Sequence, residues 1–140
     1  MSKTILLADD DPSVPSMVGR VLEMGGYEVL PASSGREAVS QYLHGPPDVV
    51  LLDLNMPEKD GWDAWQLMSS LHPFVPVIVI TARPNQYEHA DRLRIDGLME
   101  KPLDLGLLLK TIRQLLVEPD AHRLARITAP DFHTTLLNDL

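Results

Sequence analysis

Apolar and polar positions along the chain follow two alternating rhythms. Thr4–Ala8 is a continuous apolar run that ends at the acids Asp9, Asp10 and Asp11, which suits a strand buried on both faces. Val14, Met17, Val18, Val21 and Leu22 then recur at helical spacing. Pro12 is placed to open that helix and Gly25-Gly26 to stop it. Pro15 removes a backbone donor inside the first turn, so an irregular start is expected. The same reading predicts strands over residues 27–32, 48–52, 75–80 and 97–100. It predicts helices over residues 35–44, capped by Ser34, and from Gly61 through Trp65, Met68 and Leu71. A polar helix over residues 85–95 follows. The last helix is strongly amphipathic and carries Leu105, Leu108, Leu109, Ile112, Leu115 and Leu116. Five strand–helix units in strict alternation imply a parallel sheet with helices on both faces.

Composition narrows the classes. A chain of 140 residues with 44% hydrophobic and 23% charged residues is one globular domain with a short extension. Zero cysteines exclude a disulfide scaffold, a thiolate metal site and a cysteine nucleophile. A net charge of −8 disfavours direct binding to nucleic acid and docking on anionic membranes. The N-terminal apolar run is too short for a signal peptide, and residues 75–80 and 105–117 are too short to span a bilayer, so a cytoplasmic protein is expected. Composition changes after Glu118-Pro119. Residues 1–118 therefore read as the domain, and residues 119–140 as an extension, tail or linker without a separate fold.

In an open α/β sheet, ligands bind beyond the carboxyl ends of the strands. Asp9, Asp10 and Asp11 follow the first strand, Asp53 the third, Thr81 the fourth and Lys101 the fifth. Acids, a hydroxyl and an ammonium thus converge on one edge. Clustered carboxylates call for a hard cation, and oxygen donors without His or Cys suit Mg²⁺, Mn²⁺ or Ca²⁺. Mg²⁺ completes its shell with phosphate oxygens, which matches phosphoryl transfer. Asp53 could form an acyl phosphate. The metal and Lys101 would balance charge on the phosphoryl oxygens, and Thr81 could hydrogen-bond one of them.

Those residues, in that order, resemble the receiver domain of two-component response regulators, the CheY-like superfamily. Leu7-Ala8-Asp9-Asp10-Asp11 resembles the acidic pocket. Leu51-Leu52-Asp53-Leu54-Asn55-Met56-Pro57 with Asp60-Gly61 resembles the phosphoacceptor strand and loop. Thr81-Ala82 and Lys101-Pro102 resemble the remaining signatures. The resemblance covers roughly Lys3 to Val117. It implies a flavodoxin-like fold of five parallel strands in order 2-1-3-4-5 with five helices. It implies that Asp53 takes a phosphoryl group from a sensor histidine kinase or phosphotransfer protein. It also implies Mg²⁺ held by Asp10, Asp53 and the backbone carbonyl of Asn55, with Asp9 acting through water, and a cis Lys101-Pro102 bond. The domain would not be an enzyme in its own right. It would assist its own phosphorylation and dephosphorylation, then switch a surface for a downstream protein target, with a homodimer left open.

One departure stands out. Such receivers carry Tyr or Phe three residues before the lysine, and here that position is Leu98. Thr81 and Leu98 are therefore the candidate switch pair, with the face of helix four, strand five and helix five in question. Arg83 stands beside the pocket and, with Asn55, is expected to tune the life of the acyl phosphate.

Simpler readings stand beside these. Asp11 before Pro12 reads as a helix cap. Pro57 and Gly61 read as ordinary loop residues, and Trp62 and Trp65 as packing. His44, His72, His89, His122 and His133 lack metal spacing. Two other functions compete. A receiver-like docking module that is never phosphorylated would explain Leu98. An aspartyl-nucleophile phosphatase of the haloacid dehalogenase type would want an acid where Asn55 stands. No helix-turn-helix segment follows Val117, which disfavours a transcription factor unless the chain is part of a longer regulator.

Overall fold

The computed structural model describes residues 2–9, 13–56 and 60–139. The elements run β1 (Thr4–Ala8), α1 (Ser13–Met24), β2 (Glu28–Ala32), α2 (Gly35–Leu43), β3 (Val49–Asp53), α3 (Gly61–Leu71) and β4 (Val77–Thr81). They continue with α4 (Tyr87–Arg92), β5 (Gly97–Glu100), α5 (Leu105–Val117), α6 (Asp120–Thr128), β6 (Thr135–Leu136) and a 3₁₀ turn, Leu137–Asp139. All strand pairs are parallel, in the order β2-β1-β3-β4-β5-β6. This is the expected flavodoxin-like α/β architecture with a correction. Five strands and five helices were expected, whereas the described residues form six strands and six α-helices, because residues 119–139 add a helix and an edge strand to the same sheet.

Alternation along the strands builds two cores. Leu6, Ala8, Val50, Leu52, Val77, Val79 and Leu98 meet α2, α3 and α4 on one face through Tyr42, Trp65, Met68 and Ala90. Ile5, Leu7, Val49, Leu51, Ile78, Ile80 and Met99 meet α1 and α5 on the other through Val18, Leu22, Leu108 and Ile112. Every residue of β3 and β4 is buried, as continuous apolar runs in a parallel sheet require. Pro31 is tolerated because β2 is an edge strand.

Local chemistry sets the element ends. Ser34 accepts from the Glu37 N–H at 3.0 Å and caps α2. Asp104 caps α5 through the Leu107 N–H at 3.0 Å. The helix expected over residues 85–95 is shorter. Asn85 and Arg94 hold left-handed backbone, φ 60° and 56°, which brackets α4 on both sides. The expected irregular start of α1 does not appear: Ser13 onward is helical, Pro15 included. The Asp11 cap and Pro12 lie outside the described residues, as does Pro57.

Residues 119–140 escaped the hydrophobic reading because the buried side of α6 is charged. Arg123 is buried and places Nη2 3.1 Å from Asp96 Oδ2 and Nε 2.7 Å from the Phe74 carbonyl. Arg126 reaches Asp96 Oδ1 at 2.8 Å and Glu118 at 2.8 Å. Arg94 donates to the Ile127 and Ala129 carbonyls at 2.8 and 2.9 Å, closing the far end of α6. Beyond it, Phe132 and Leu137 are buried, and Leu137 packs over Gly97. Among the described residues no helix is long and apolar enough to cross a membrane.

Candidate functional site

The parallel sheet carries Asp9, Asp53, Thr81 and Lys101 to one edge, at the ends of β1, β3, β4 and β5. Asp9 and Asp53 are buried, 1% and 3% exposed, and Thr81 is fully enclosed. The Lys101 ammonium lies 2.9 Å from Asp53 Oδ2 and 3.5 Å from Asp9 Oδ2. Burial pulls the Lys101 pKa down, but Asp53 and Asp9 together outweigh it and hold the ammonium above its ordinary value. The other Asp53 oxygen accepts the Asn55 N–H at 3.0 Å. The backbone ties the strand ends together: the Lys101 N–H donates to the Thr81 carbonyl at 2.8 Å, and the Asp9 N–H to the Ala32 carbonyl at 3.0 Å. The Lys101-Pro102 bond is cis, as the resemblance implied.

The loops beyond the strands close around Arg83. Its backbone N–H donates to the Thr81 hydroxyl at 2.9 Å. Its guanidinium donates to Asp60 at 2.8 Å, to the Leu54 carbonyl at 3.2 Å and to Asn55 Oδ1 at 3.3 Å. Arg83 therefore binds the loop after β4 to the loop after β3. Asp60 also caps α3, accepting the Trp62 N–H at 2.9 Å. The sequence offered that signal, an Asp directly before a helix, without revealing its second partner.

Gly61 is more than the loop residue expected. It opens α3, donates to the Leu54 carbonyl at 2.9 Å, and lies so close to the end of β3 that a Cβ would stand 2.6 Å from the Asp53 carbonyl oxygen. Only a residue without a side chain lets α3 start there.

Leu98 does not join the edge cluster. It is buried in the core face of β5, with Tyr87, Leu93 and Leu136 packed against the same cluster. Trp62 is buried, as expected of packing, and donates to Gln86 at 2.9 Å. Asp10 lies outside the described residues.

The donor set is two buried carboxylates, the loop carbonyls after Asp53, and no sulfur or imidazole, which fits a hard divalent cation.

Comparison with known proteins decides what the edge belongs to. Residues 5–113 match the response regulator receiver domain family. The chain belongs to the response regulator receiver family. Response regulator MprA of Mycolicibacterium vanbaalenii is 36% identical over 118 residues, covering 83% of this chain and 51% of that protein. Transcriptional regulatory protein TrcR of Mycobacterium tuberculosis is 31% identical, covering 80% of this chain and 44% of that protein. The chain thus spans about half the length of the curated relatives it matches. Among solved structures, chemotaxis protein CheY4 of Vibrio cholerae superposes with a TM-score of 0.76 at 30% identity, covering 83% of this chain and all of that one (100%). A CheY-like receiver domain protein of Methanospirillum hungatei gives 0.78 at 25% identity, with 83% and 94% covered. Receivers of two-component systems are thus the frame for this site. The matched region stops short of α6 and β6.

Proposed function

We propose that this receiver accepts a phosphoryl group on Asp53 from a sensor histidine kinase or phosphotransfer protein, with Mg²⁺, and in turn switches a protein-binding surface. The observation that carries this is the Lys101 ammonium 2.9 Å from a buried Asp53 carboxylate, with the Asp9 carboxylate against the same ammonium.

The transfer balances on this chain's atoms. An Asp53 carboxylate oxygen attacks phosphorus, a P–O bond forms, and the P–N bond of the donor phosphohistidine breaks. The imidazole leaves with the electron pair and picks up a proton. Asp9, Asp10, Asp53 and the Asn55 carbonyl would hold the metal, which supplies charge neutralisation for the phosphoryl oxygens when bound. Lys101 turns from the carboxylate to a phosphoryl oxygen, a charge-assisted contact that strengthens as negative charge builds. The Thr81 hydroxyl accepts from Arg83 and keeps its own proton to donate to another phosphoryl oxygen. Arg83 over the loop limits access of hydrolytic water.

Intact mass after incubation with acetyl phosphate tests the proposal, with a cognate kinase as second donor. One added phosphoryl group is expected with Mg²⁺, and none in chelator or in Asp53→Asn. No uptake from either donor would leave the unphosphorylated docking module as the better reading.

A further inference from the structure

We propose that residues 131–138 form an internal latch on the β5 edge, and that phosphorylation of Asp53 releases it. The inference rests on Asp53 being the phosphoacceptor and goes beyond it.

The latch has little strand pairing of its own. β6 pairs two residues with β5, Thr135 with Gly97 and Leu136 with Leu98. So short a strand is marginal unless other contacts hold it. Phe132 and Leu137 supply buried packing at either end of the segment, and side-chain bonds hold the stretch between and beyond them. The Tyr87 hydroxyl donates to the Thr134 carbonyl at 2.7 Å. Asp91 accepts the Thr134 N–H at 2.8 Å. The exposed Asn138 carboxamide extends the ladder, accepting the Glu100 N–H at 2.7 Å and donating to the Glu100 carbonyl at 3.1 Å.

Two of these anchors sit on elements that leave the phosphoacceptor edge. Glu100 directly precedes Lys101, whose ammonium holds Asp53. Tyr87 opens α4, at the end of the loop that begins at Thr81 and Arg83. Arg83, Gln86, Tyr87, Leu98 and Leu136 line one cavity of about 210 Å³ between that loop and the latch. The Arg83 guanidinium lies against the loop directly after Asp53. A phosphoryl group on Asp53 replaces the single carboxylate charge with about two, a net gain of about one negative charge placed further out toward the loops. It attracts Arg83 and draws the loop toward Asp53, carrying Gln86 and Tyr87 away from Thr134 and Leu136. Lys101 shifts to a phosphoryl oxygen and strains the Glu100–Asn138 clamp. Each step favours an open latch. Coupling of this kind is reciprocal, so loosening the latch must favour the phosphorylated form.

Hydrogen exchange of the full chain, read at the amides of residues 134–138, tests this. Exchange there should rise about tenfold on saturation with Mg²⁺ and beryllium fluoride, a phosphoryl mimic, while β3 and β4 stay protected. In Asn138→Ala, and independently in Tyr87→Phe, basal exchange should rise. Beryllium fluoride should bind these variants about three- to fivefold more tightly, read by tryptophan fluorescence. Unchanged or slower exchange in protein shown by fluorescence to be saturated would overturn the latch and leave the phosphoacceptor reading intact. Equal or weaker binding by both variants would do the same. Failure to bind the mimic or accept phosphate at all would overturn both.

Discussion

Two buried acids of this receiver make opposite use of their cations. Asp96, at the start of the β5 segment, accepts from both Arg123 and Arg126 and from the Val77 N–H at 2.9 Å. It is enclosed, and its bonds tie α6 to the sheet. Asp53, at the far end of β3, accepts from one ammonium and one loop N–H among the described residues, and that ammonium is shared with Asp9. A saturated ion pair has nothing left to offer a ligand, and its worth is in positioning. Two acids sharing a cation at a strand edge are what the proposed metal and phosphoryl chemistry calls for. Burial and charge are alike in the two places. Saturation and position in the sheet separate structure from chemistry.

Exchanging the losses tests this division. Asp53→Asn should abolish phosphoryl uptake by intact mass and leave the urea midpoint nearly unchanged. Asp96→Ala leaves buried guanidinium without its carboxylate and should cost about 3–5 kcal/mol by urea denaturation, while the folded fraction still takes up phosphate. If Asp96→Ala removed uptake without destabilising the fold, the contrast would fail.

Gly61→Ala touches both sides of the comparison. Its Cβ meets backbone rather than a flexible side chain, so α3 must move away from Asp53. The expected outcome is a loss of about 1–3 kcal/mol in stability together with slower phosphoryl uptake. Arg83→Ala removes contacts to Asp60, Leu54 and Asn55 and should shorten the life of the acyl phosphate about fivefold, one hydrogen bond's worth, read as dephosphorylation after donor removal. An unchanged lifetime in both Arg83→Ala and Asn55→Ala would remove these residues from the chemistry.

The smallest effect is acid sensitivity on the structural side. The hydrogen bond from Arg126 holds Glu118 down to about 2 from 4.5, against the opposing push of burial and with help from His122. A carboxylate whose folded pKa is lowered contributes stability above its unfolded value and loses it as pH falls through the folded one. The urea midpoint should therefore drop between pH 4.5 and 2. Glu118→Gln should flatten that drop.

By itself, the sequence determined the five strand–helix units and the edge residues Asp9, Asp53, Thr81 and Lys101. A strand buried on both faces must be continuously apolar, and a parallel sheet must bring the carboxyl ends of its strands together. Both facts are local or topological, so order along the chain carries them. Tertiary structure decided the rest. The inner face of α6 is arginine and finds its acid at Asp96, far away in the chain, so no apolar rhythm could announce it. β6 is two residues long and owes its place to side chains of α4 and to the Asn138 carboxamide on the β5 backbone. Asn85 and Arg94 adopt left-handed backbone that shortens α4, which composition does not reveal. Gly61 is required because the backbones of α3 and β3 nearly touch, and Arg83 finds Asp60 because two loops are folded together. Each of these depends on which groups meet in space, and such pairings are set when the layers pack.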